Sequence, residues 1–137
     1  MKTFVIILCI LAALFLITLP FELKRRRLLQ ERYWDRVCTG KDWKRRFPTA
    51  SKTEIREFLT LIVDAFAFPR KRRLCFSPDD RVIDIYRTIY PSKGEADALE
   101  LETLVDMIEE RYGVEVVKFR RDGITLGEIY EHTHPVA

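Results

Sequence analysis

The chain has 137 residues, 47% hydrophobic and 33% charged, with a net charge of +3, which leaves room for one small domain and an appendage. The total hides a division: Glu22 to Arg46 carries ten Lys or Arg against four Asp or Glu, a net of +6, whereas Asp79 to Glu131 carries seven against fourteen, a net of −7. Cys9, Cys38 and Cys75 lack the dense spacing of a secreted disulfide scaffold and are expected as free thiols, and with no Gly-rich phosphate loop, serine nucleophile elbow or histidine dyad, enzymatic activity is not expected.

Residues 4–19, FVIILCILAALFLITL, carry no charge. Extended through Phe21 the run has 18 residues, roughly 27 Å of helix and enough for a bilayer core. A signal peptide also opens with a basic residue such as Lys2 and an apolar run, but no A-x-A-like cleavage site follows, and Cys9 lies too early for a lipidated cysteine. Residues 1–21 therefore predict a single-pass transmembrane anchor. Lys24, Arg25, Arg26 and Arg27 follow the run and only Lys2 precedes it, so the positive-inside rule places the rest of the chain in the cytoplasm, on an inner or plasma membrane.

Residues 22–50 read as a basic juxtamembrane stem, a helix continuing past Pro20 toward Val37. Tyr33 and Trp34 suit the headgroup layer, and Lys24 to Arg27 suit anionic lipid. Such a run also fits nucleic acid; beside a membrane span the lipid reading is preferred, and no nucleic-acid partner is expected. Thr39-Gly40 marks a break, and Pro48 closes the stem.

Ser51 with Glu54 three residues on forms a capping box for a helix from Lys52 to Phe68, with Ile55, Phe58, Leu59, Ile62, Val63 and Phe66 on one face. Pro69 ends it, and Arg70 to Arg73 favour its C-terminal dipole. Ser77-Pro78-Asp79-Asp80 reads as a turn or helix start, followed by a short helical segment through Val82, Ile85 and Ile89 that Pro91 and Gly94 break. Asp79, Asp80 and Asp84 lack a calcium-loop pattern and read as helix-start acids beside Arg81.

Asp97, with Glu100 three residues on, caps the next helix. Leu101, Leu104, Val105, Ile108 and Tyr112 form its buried stripe; Glu102, Asp106, Glu109 and Glu110 lie on the solvated side; Gly113 closes it. Asp122-Gly123 turns the chain into a final helix led by Thr125. His132 and His134 lack two further ligands and read as a frayed tail, so no metal is expected. Nothing alternates well enough for a sheet. The fold class is all-α: a bundle of three to four helices over residues 51–137.

Asp97-Ala98-Leu99, the acidic helix and Tyr112-Gly113-Val114 together resemble the acyl carrier protein family, whose second helix opens with Asp-Ser-Leu and closes with a Phe-Gly-Ile-like cap. Ile124 to Ile129 is similar to the opening of that family's last helix, so the resemblance covers about residues 52–134. It implies an acyl-carrier-like bundle whose serine bears phosphopantetheine. Here Ala98 stands at that position and offers no nucleophile, so no prosthetic group is expected there; Ser92 is the displaced alternative. The connection from Pro69 to Ala96 departs from the family, lacking its Gly-x-Asp lead-in. What the resemblance leaves is a recognition surface, in which Glu102, Asp106, Glu109 and Glu110 dock on the basic patch of a protein partner, such as an acyl-transfer or lipid-metabolism enzyme. The expected function is a membrane-anchored docking module without a prosthetic group, with a true carrier armed at Ser92 or an accessory subunit of a membrane complex as alternatives.

Overall fold

The computed structural model describes residues 1–91, 99–115 and 123–135. Among them all regular structure is helical, apart from one antiparallel bridge between Arg81 and Thr125. Helix α1 spans Lys2–Leu29 and runs without interruption into a π-helical turn, Gln30–Trp34. These 33 residues contain a stretch of mean hydropathy 3.0 with none of its residues buried. It is one helix long and apolar enough to cross a membrane. Pro20 lies inside α1 without ending it, and Thr18 returns its hydroxyl to the carbonyls of Leu14 and Phe15, both at 3.1 Å.

The C-terminal end of this helix is a core element. Leu29 and Tyr33 are buried, and the Tyr33 and Trp34 rings pack on Phe76 at 5.1 and 5.7 Å. Their expected placement in the headgroup layer is therefore overturned: both rings face inward, where aromatic area is worth most. The wider π turn adds a residue to the local repeat, which brings the adjacent Tyr33 and Trp34 round to the same partner.

The expected break at Thr39-Gly40 is present, and a further helix follows it: α2, Gly40–Arg46, places Trp43 at the centre of the core. Trp43 Nε1 donates to the Phe76 carbonyl at 2.8 Å, and the Thr39 hydroxyl donates to the Leu74 carbonyl at 2.8 Å and the Phe76 carbonyl at 2.6 Å. Helix α3, Lys52–Ala65, has the expected capping box and buries Ile55, Phe58, Leu59, Ile62 and Val63. It ends before the expected Phe68, because Ala67 turns to φ 54° and the chain folds back so that Phe68 stacks between Phe66 and Phe76, each at 5.8 Å.

Arg70–Cys75 form a 3₁₀ turn packed along α3 and the π turn. Helix α4, Val82–Ile89, lies against α1; α5, Leu99–Tyr112, lies against α3. Helix α6, Leu126–Thr133, is led by a second capping box between Thr125 and Glu128. His134 is no frayed end: its ring stacks on Tyr130 at 4.2 Å and meets Tyr112 at 4.9 Å, and His132 Nδ1 lies 2.7 Å from the Glu128 carbonyl.

Stem arginines bind distal acids. Arg36 pairs with Asp80 at 2.6 Å, and Arg46 reaches Asp79 and Glu131, each at 3.2 Å. The charge division seen in the sequence is thus partly complementarity within one domain.

Candidate docking surface

Helix α5 is positioned by Leu104 and Ile108, both buried against the core, with Leu101, Val105 and Tyr112 half-buried beside them. Gly113 closes it at φ +66°, its N–H donating to the Glu109 carbonyl at 2.8 Å. With the apolar stripe turned inward, Glu102, Asp106, Glu109 and Glu110 are all exposed. At 100° per residue the first three lie within about 60° of one another and Glu110 extends the arc to about 100°.

Glu110 faces a different neighbourhood from the other three. It lines an open groove of about 810 Å³ between α3 and α5, together with Arg56, Glu57, Asp64, Arg73 and Arg111 over a floor of Leu61 and Met107. Arg111 pairs there with Glu57 at 3.4 Å, and Asp64 is held by Arg70 at 2.7 Å. Three arginines balance three carboxylates, so the groove has no net sign. Outside the groove, Glu102, Asp106 and Glu109 form an exposed acidic ridge along α5.

The first turn of α5 is tied to the end of α4. Tyr90 donates its hydroxyl to a Glu100 carboxylate oxygen, and this bond, ahead of burial, pushes the phenol up to about 12. The Arg25 guanidinium, in the cationic turn Lys24 to Arg27 of α1, acts on Tyr90 in the opposite sense. Of the four cations there, Lys24, Arg26 and Arg27 are exposed; Arg25 is half-buried and pairs with Glu22 at 3.0 Å, and Arg27 pairs with Glu31 at 2.8 Å. They ring the helix just beyond its apolar run.

Asp97, Ala98 and Ser92 lie outside the described residues. Asp79, Asp80 and Asp84 do not converge: each meets a different arginine, Arg46, Arg36 and Arg81. Among the described residues no three His, Cys, Asp or Glu side chains gather as metal ligands. The packing of Trp43 on Phe58 and Tyr130, and of Trp34 on Phe76, was not expected from the sequence, although Phe58 stood on the apolar face of α3.

No family model matches the sequence, and no curated protein or solved structure matches the chain.

Proposed function

We propose that this chain is a single-pass membrane adaptor: α1 crosses the bilayer, and the helical domain fused to it presents the acidic ridge of α5 to a protein partner bearing a basic patch. One observation carries the reading. The helix that is exposed and almost wholly apolar over residues 2–20 is the same unbroken helix that buries Leu29 and Tyr33 near its end in the domain core. An apolar surface of that extent needs a nonaqueous surrounding, and a helix needs no linker to pass the resulting fixed position on to the domain.

The exposed Lys24, Arg26 and Arg27 favour the cytoplasmic side and anionic lipid at that leaflet. The resemblance of α5 and α6 to an acyl carrier protein supports the choice of α5 as the recognition element, with an acyl-transfer or lipid-metabolism enzyme as the partner class. Alanine at position 98 argues for docking without cargo.

The test is the triple reversal Glu102→Lys, Asp106→Lys, Glu109→Lys in the full chain, with a photo-crosslinker at Thr103 on native membranes. The expected result is a discrete adduct in the parent chain, weakened by salt, and lost in the reversal while the helical circular dichroism is retained. Adduct formation unchanged by the reversal would refute docking through the ridge. An intact mass raised by one phosphopantetheine, and restored by Ser92→Ala, would establish the carrier alternative in its place.

A further inference from the structure

Cys38 and Cys75 are remote in the sequence, and the fold brings their backbones side by side. Three consecutive carbonyls, with that of Cys75 in the middle, accept hydrogen bonds from the segment that holds Cys38. The Leu74 carbonyl accepts from the Thr39 N–H at 2.9 Å and from the Thr39 hydroxyl at 2.8 Å, the Cys75 carbonyl from Arg36 Nη1 at 3.4 Å, and the Phe76 carbonyl from the Thr39 hydroxyl at 2.6 Å. Thr39 and Phe76 are buried, so the pairing belongs to the core.

These bonds bound the distance between the two cysteines. Peptide geometry sets the Cys38 α-carbon about 2.4 Å from the Thr39 nitrogen, and the Cys75 α-carbon about 2.8 Å from the Leu74 carbonyl oxygen. With 2.9 Å between that nitrogen and that oxygen, the α-carbons stand at most about 8 Å apart. The true separation is shorter, because an N–H points nearly at right angles to the line from its nitrogen to the preceding α-carbon. A disulfide takes about 4.4–6.8 Å. Both thiols are free, with Cys38 exposed and Cys75 half-buried. The Cys38 sulfur rests beside Gly40, 3.6 Å from where a Cβ would stand, and an exposed side chain changes rotamer within nanoseconds. Val37 and Cys38 belong to no helix, so the segment can close on Cys75 without breaking one.

We propose that Cys38 and Cys75 are a redox pair, which a low-molecular-weight disulfide such as oxidised glutathione converts reversibly to an intramolecular disulfide. The exposed Cys38 thiolate attacks one sulfur of the oxidant and expels a glutathione thiolate; the Cys75 thiolate then attacks the Cys38 sulfur and expels the second. The two protein thiols lose two protons and two electrons, and the oxidant leaves as two thiols. The new bond latches the segment after the π turn to the 3₁₀ turn and closes a ring over residues 38–75, which restricts the unfolded chain and raises stability. The inference is independent of the function proposed above.

The test uses the full chain in nanodiscs with Cys9→Ser, incubated with oxidised glutathione, then denatured and alkylated. The expected intact mass is lighter than the reduced chain by two hydrogens and carries no alkyl group; dithiothreitol before alkylation restores two. The oxidised chain is expected to melt at a higher temperature than the reduced one. A glutathione adduct that persists on Cys38 while Cys75 is alkylated would overturn the pair, as would a disulfide-linked dimer or two alkyl groups after oxidation. Cys38→Ser, which alters only an exposed side chain, should keep one alkylated thiol throughout, and its loss there would mean that Cys75 oxidises without Cys38. A disulfide that leaves the melting temperature unchanged would overturn the latch.

Discussion

Trp43 has no exposed surface, meets Phe47, Phe58 and Tyr130 at 5.8–5.9 Å between ring centres, and bonds the Phe76 carbonyl. Tyr130 completes the cluster and is itself buried, and desolvation raises its phenol to about 12 from an ordinary 10.0. A phenol that keeps its proton longer when folded binds more protons than the unfolded chain above pH 10, so stability falls as pH rises through that window. The melting temperature is expected to hold up to about pH 10 and to drop steadily from there toward 12. Part of that drop should be absent in Tyr130→Phe, as thermal melts across the range would read; an equal alkaline loss in the variant would assign the effect to other groups such as Tyr90.

At the scale of elements, each of the two capping boxes ties a serine or threonine to a glutamate three residues on, with backbone N–H groups bonded at 2.7–3.2 Å. Both glutamates are held below their ordinary carboxylate range, chiefly by the backbone N–H each accepts. Their contribution is therefore present above the unfolded carboxylate pKa and lost as pH falls through the lowered folded values. Ser51→Ala and Thr125→Ala are each expected to cost about 1 kcal/mol in denaturant unfolding, and the double variant close to the sum, since the caps head different helices. A change near zero in either would mean that packing alone sets that helix start.

The Ser51 box, the start of α6 at Thr125, the stripes of α3 and α5, and the glycine stop at 113 were legible in the sequence because each is a local pattern. The π turn, helix α2 and the inward burial of Tyr33 and Trp34 were not. A basic stretch beside an apolar run has no spacing that distinguishes lipid contact from core contact, and only the position of Phe76, more than 40 residues later, decides it. Gly127 shows the same limit. A Cβ there would lie 2.9 Å from the Pro78 carbonyl and 2.7 Å from the Arg46 guanidinium, a close approach made by segments remote in sequence. Within the candidate site, the sequence placed all four acids on the exposed face of α5, but the groove that Glu110 lines with Arg56 and Arg73 joins α3 to α5 and has no local spacing to announce it.

For the whole molecule, the consequential feature is that the apolar helix, long enough to cross a membrane, runs without a linker into the domain. A stem of loose residues would let the acidic ridge wander over many ångströms, whereas α1 enters the core through Leu29 and Tyr33 and is clasped by α4, with Arg32 bonded to Thr88 at 3.2 Å. Arg36–Asp80 and Arg46–Glu131 then close the stem onto the distal helices. Under the proposed function, a partner would meet α5 at a set height and bearing, and docking would gain from orientation already fixed. The most direct measurement is the distance distribution between spin labels at Leu14 on α1 and Asp106 on α5, in the cysteine-replaced full chain in nanodiscs. A single narrow distribution is expected. A broad one, spread as for two bodies on a flexible tether, would contradict the account.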